Sequence, residues 1–65
     1  MIYKSDICTF EVTREHNNII FHLLEYTTES GEIISLVNPC DMTYIISESI
    51  YNDAKDKLAE YEENN

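Results

Sequence analysis

ICTFEVTREHNNIIFHLLEYTTESGEIISLV, the stretch from Ile7 to Val37, decides the fold. Its opening alternates, with Cys8, Phe10 and Val12 on one side and Thr9, Glu11 and Thr13 on the other. That is the period-two signature of a half-buried strand, and the strand can begin as early as Ile2. Arg14-Glu15-His16-Asn17-Asn18 interrupts it with polar residues, and asparagine tolerates left-handed backbone angles, so the segment reads as a hairpin turn. Strand two follows at Ile19 to Thr27. Thr28-Glu29-Ser30-Gly31 forms a second turn, in which Gly31 supplies a positive φ at no steric cost. Glu32 to Val37 then resumes a β-branched run. The stretch predicts a three-stranded antiparallel meander.

Downstream, Asn38-Pro39-Cys40-Asp41 reads as a helix start, with Asn38 at the N-cap, Pro39 at the first helical position and acidic Asp41 in the first turn. From Ile50 onward, Ile50, Ala54, Leu58 and Tyr61 recur at helical spacing, while Asp53, Asp56, Glu60 and Glu63 line another stripe. One helix from Pro39 to Glu62 would be about 36 Å long, longer than the strands it covers, and its apolar stripe would drift around the axis. A break near Ser47-Glu48-Ser49 removes both problems. It gives a short helix at Pro39 to Ile46 and a main helix from about Glu48. The β-branched and aromatic run Thr43-Tyr44-Ile45-Ile46 makes a fourth strand at 42–46 the competing reading. The expected fold class is therefore α+β, a three-stranded antiparallel meander followed by a C-terminal amphipathic helix, with residues 1–65 forming one small acidic domain.

Bulk properties narrow the function classes. A chain of 65 residues hides only about 60% of the surface its unfolded form exposes, so disulfides, a metal or self-association would be welcome reinforcement. Hydrophobic residues at 43% are too many for a disordered chain. The formal charge of -9 repels phosphate backbones and anionic lipid surfaces. The four basic residues, Lys4, Arg14, Lys55 and Lys57, are too scattered to neutralise several phosphates, so direct nucleic-acid binding is not expected. The N-terminal residues lack a basic then apolar leader pattern, and no apolar run approaches membrane-spanning length, so a cytoplasmic location is expected. Cys8 and Cys40 read as packing thiols.

The sequence also predicts more apolar surface than one helix can shield. Strand two shows Ile19, Phe21 and Leu23 on one face and Ile20, Leu24 and Tyr26 on the other. Strand three repeats this, with Ile33 and Val37 opposed to Ile34 and Leu36. Either the N-terminal arm Met1-Ile2-Tyr3 or the short helix after Pro39 folds over the second face, or another chain covers it, a second copy or a target protein.

No residue pattern carries a specific chemistry. His16, His22, Cys8 and Cys40 have no zinc-site spacing, no nucleophile motif or phosphate loop is present, and no cofactor or metal is expected. Glu25 and His22 lie an odd number of residues apart, which places them on opposite sheet faces. The functional expectation is thus a non-enzymatic, acidic protein-binding module. Abundant Ile and Asn with scarce Gly, Pro, Ala and Arg suit an AT-rich genome, such as that of a phage or bacterium, where such a module would be an accessory protein inhibiting or modulating a host protein. Expected contact residues are Phe21, Tyr26, Tyr44, Tyr51 and Tyr61 as anchors, with Asp53, Asp56, Glu60 and Glu63 steering a basic partner, in the manner of a nucleic-acid mimic toward a nucleic-acid-binding protein. Two other readings stand beside it: an oligomer sequestering a small ligand, and a structural or regulatory homodimer.

Overall fold

A computed structural model describes residues 1–64. The chain runs through β1 (Ile2–Lys4), β2 (Cys8–Glu15), β3 (Asn18–Thr27), β4 (Ile33–Asp41) and α1 (Glu48–Glu63). The strands form one antiparallel meander in the order β1-β2-β3-β4, and α1 packs on one face of it. The architecture is α+β as expected, with one strand more than the meander read from Ile7 to Val37.

That extra strand comes from the N-terminal arm. A turn at Ser5 to Ile7 separates β1 from β2, closed by Ser5 N donating to Cys8 O at 2.9 Å and by the Ser5 hydroxyl accepting from Cys8 N at 3.2 Å. The β2–β3 hairpin is also tighter than its five polar residues suggest. Glu15 pairs with Asn18, so only His16 and Asn17 turn, and the left-handed angle falls on His16 (φ 58°). Gly31 takes the positive φ assigned to it, at 90°.

The reading of 38–46 is corrected. Asn38 and Pro39 start no helix, because Cys40 and Asp41 return to pair with Leu23 and His22 as the end of β4. Between Ser35 and Cys40, β4 swings away from β3, and Pro39, which has no N–H to give a ladder, sits in that excursion. Asp41 caps a turn instead of a helix, its Oδ1 accepting from Thr43 N at 2.9 Å. Hydrogen bonds from the Thr43 side chain and backbone hold the Asp41 carboxyl below its ordinary value. Residues 42–46 are neither short helix nor fourth strand but a turn, clamped by the Thr43 hydroxyl accepting from Phe21 N at 3.1 Å. The true N-cap is Ser47, whose side chain accepts from Ile50 N at 3.3 Å, so α1 starts where the break was placed.

The core lies between α1 and the near half of the sheet. Tyr3, Phe10, Val12, Ile19 and Phe21 meet Ala54 and Leu58, with Ile50 and Tyr51 at the margin. Phe21 and Val12 are fully buried. Burying such side chains contributes about 1.5–3 kcal/mol each. The rings of Phe10 and Phe21 meet edge to face at 5.8 Å, and Tyr51 leans on Phe21 at 6.1 Å. Contacts between distant parts of the chain close the domain. Tyr3 Oη donates to Asp53 Oδ2 at 2.7 Å, the Lys57 ammonium sits 5.2 Å from the centre of the Tyr3 ring, and Arg14 Nε donates to Glu62 at 3.0 and 3.1 Å.

Candidate functional site

One extra residue in β3 sorts the surface. Thr9 pairs with Glu25 and Phe10 with Leu23, so Leu24 is a bulge with no partner on β2, and it pairs with nothing on β4. Beyond the bulge every side chain changes face. Tyr26, read as belonging to the face of Ile20, shares instead the helix-side row of Cys8 and Ile34. Glu25 and His22, read as opposed, lie on the same reverse face.

The reverse face is consequently more polar than alternation alone predicts. Across it run the rows Ile2, Glu11, His22, Asp41 and Lys4, Thr9, Glu25, Ser35, with Thr13 beside Ile20. Thr9 Oγ1 donates to Glu25 Oε1 at 3.3 Å. The N-terminal arm does not cover this face, because β1 is a strand of the sheet and sends Tyr3 to the helix side. Apolar side chains stand on the reverse face only towards its margins, at Ile2, Ile20 and, opposite Thr27, Ile33.

The apolar surplus sits at the sheet's far end, on both faces, and along β4. The row Cys8, Tyr26, Ile34 contains no buried residue, and neither does any of the nine described positions of β4. Val37 stands 96% exposed at the excursion, Ile33 65% and Ile7 63%. A second exposed pair, Tyr44 and Ile45, occupies the turn before α1. Next to it a recess of about 200 Å³ is lined by Asn17, Asn18, Ile19, Thr43, Tyr44 and Tyr51. A similar recess at the far end is lined by residues that include Lys4, Asp6, Glu25, Tyr26 and Ile33.

The structure scatters the residues expected to make contact. Phe21 is sealed in the core and Tyr51 is half-buried against it. Tyr26 and Tyr44 are exposed at different places, and Tyr61 is exposed on α1. Asp53 is engaged by the fold itself. The Tyr3 hydroxyl, then the Lys57 ammonium at 3.3 Å, hold its carboxyl below the ordinary value, while the same hydrogen bond and burial push the Tyr3 hydroxyl up to about 12. Asp56, Glu60 and Glu63 remain on the solvent side of α1. Ile33 and Val37 were expected on an apolar face in need of cover, but like Ile7 and Ile45 they were not among the expected contact residues. Their signal was present as β-branched residues in excess of what one helix can cover.

Charge is distributed unevenly as well. From Glu15 to Ala54 the chain has no Lys or Arg, yet it carries Glu25, Glu29, Glu32 and Asp41 around β4. Among the described residues no group of side chains is arranged to hold a metal ion, Cys8 and Cys40 are free thiols, and no helix is long and apolar enough to cross a membrane.

No family model, curated protein or solved structure matches this chain.

Proposed function

We propose that the chain is an acidic protein-binding module that inhibits or modulates a partner by docking through β4 and the adjacent far end of the sheet. The observation that carries this is a strand, Ile33-Ile34-Ser35-Leu36-Val37, that is apolar by sequence and has no buried residue. A soluble monomer rarely leaves such side chains grouped together at the surface. Ile33, Val37 and Tyr26 are the anchors of the docking surface; Val37, 96% exposed, contributes about 1.5–3 kcal/mol if fully covered, and the partly covered Ile33 and Tyr26 less. The carboxylates around them, with those of Asp56, Glu60 and Glu63 on α1, raise the encounter rate with a basic protein and exclude acidic ones.

The test compares the immobilised wild-type chain with an Ile33→Asp/Val37→Asp double variant, both checked for folding by circular dichroism. A partner retained by the wild type and lost by the variant, with retention weakening as salt rises, is the expected result. Equal retention by both would refute the assignment of β4. A dimer mass in light scattering, lost in the double variant, would assign the surface to a second copy instead.

A further inference from the structure

We infer that the docking mode is strand addition: an extended, basic segment of a partner protein lies along the free edge of β4 over Ile33 to Leu36 and extends the sheet to five strands. This rests on the protein-binding reading above and specifies its geometry and chemistry.

The sheet has two edges, and they are not equivalent. β1 is three residues long and bears Lys4, two devices by which edge strands discourage further pairing. β4 has no neighbouring strand on its outer side among the described residues, and its segment Ile33 to Leu36 carries no charge. Lys and Pro do not guard that segment, whose last residue, Leu36, opens the excursion that holds Pro39. Alternate backbone N–H and C=O groups along such an edge point outward and are ready to bond an added strand.

The side chains specify what is added. Strands lie about 4.8 Å apart, so a residue on the added strand opposite Ser35 stands roughly 10 Å from the backbone of Glu25, across a small serine. Lys or Arg spans that gap to the Glu25 carboxylate, one of whose oxygens already accepts from Thr9. Residues one step away fall on the other face, beside Ile34, and are apolar, while the Lys two steps away stands beside Ile33, which its aliphatic stem covers. A second copy of this chain is the wrong occupant, because it would set two chains of formal charge -9 side by side and bring no Lys or Arg from residues 15–54 to the junction.

The probe is an amidated heptapeptide alternating Lys and Val with a fluorophore at its N-terminus, to which the full chain is added at low and high salt while anisotropy is read, with backbone amides followed by NMR. Controls are the same peptide N-methylated at alternate residues on either edge, a block peptide of identical composition, and a Glu/Val counterpart. Expected is at least tenfold tighter binding of the alternating Lys/Val peptide than of every control, slowed amide exchange within Ile33 to Leu36, and at least tenfold weakening by Ser35→Lys in a chain that stays folded. Equal affinity for the N-methylated or block peptides would overturn strand addition, as would protection confined to α1, absence of binding, or a β4-protected dimer. If a native partner is retained by the wild type and by Ser35→Lys but lost by Ile33→Asp/Val37→Asp, the protein-binding reading stands and the strand geometry falls.

Discussion

Phe21 is the position at which surface function and core packing make opposite predictions. Its side chain is fully buried and touches two rings, Phe10 edge to face at 5.8 Å and Tyr51 at 6.1 Å. Phe21→Leu keeps an apolar side chain but removes both ring pairs, each contributing about 0.5–1.5 kcal/mol beyond its buried area. The expected loss is therefore about 1–3 kcal/mol. A core of this size supplies roughly 3–5 kcal/mol, so the variant loses a large fraction of the stability of the fold. At roughly 4–8 °C per kcal/mol for a domain of this length, the melting temperature should fall by at least 4 °C or so. Urea titration at fixed pH with an unchanged m-value, followed by tyrosine fluorescence and circular dichroism, gives the number. The matched control is Val37→Ser, 96% exposed, which should stay within about 0.5 kcal/mol of wild type. A Phe21→Leu variant as stable as wild type, or one that loses partner retention while remaining fully folded, would refute the packing described here.

Three further perturbations probe separate joints. Ser47→Ala removes the side chain that accepts from Ile50 N and should cost about 1 kcal/mol, visible as lower helical signal and an earlier urea midpoint. Gly31→Ala meets no atom within 4 Å, so its expected cost of about 1 kcal/mol is purely the strain of φ 90°; a neutral result in a thermal melt would mean the turn relaxes. Tyr3→Phe deletes the hydrogen bond that keeps the Asp53 carboxyl low. Because a depressed carboxyl stabilises the fold above its unfolded value of about 3.9 and ceases to do so as pH falls through the folded value, the gap between wild type and variant should be open at pH 7 and narrow towards pH 2. A gap that stays constant over that range would contradict the assigned hydrogen bond.

Much of the fold was legible because alternation and helical periodicity are local properties. Cys8 to Thr13 announced β2, Gly31 its turn, and the spacing of Ile50, Ala54 and Leu58 the helix and the face it buries. Asn38-Pro39-Cys40-Asp41 misled because a cap, an excursion in a strand and an Asx turn use the same residues, and only pairing of Cys40 and Asp41 with β3 separates them. The surface was harder to read than the core. Tyr26 and Glu25 were assigned to the wrong faces since the Leu24 bulge leaves no mark in a run of apolar residues. Anchors chosen by residue type, such as Phe21, took no account of which aromatic ring the helix would seal.

That bulge has an evolutionary corollary. Loss of the single codon for Leu24 would leave the pairs Phe10–Leu23 and Thr9–Glu25 adjacent, a regular ladder in place of the bulge. Tyr26 would stay beside Cys8 on the helix side and Glu25 beside Thr9 on the other, so no side chain would change face. A lineage carrying this scaffold could thus gain or lose one residue in mid-strand by an in-frame insertion or deletion and keep its set of recognition residues in place.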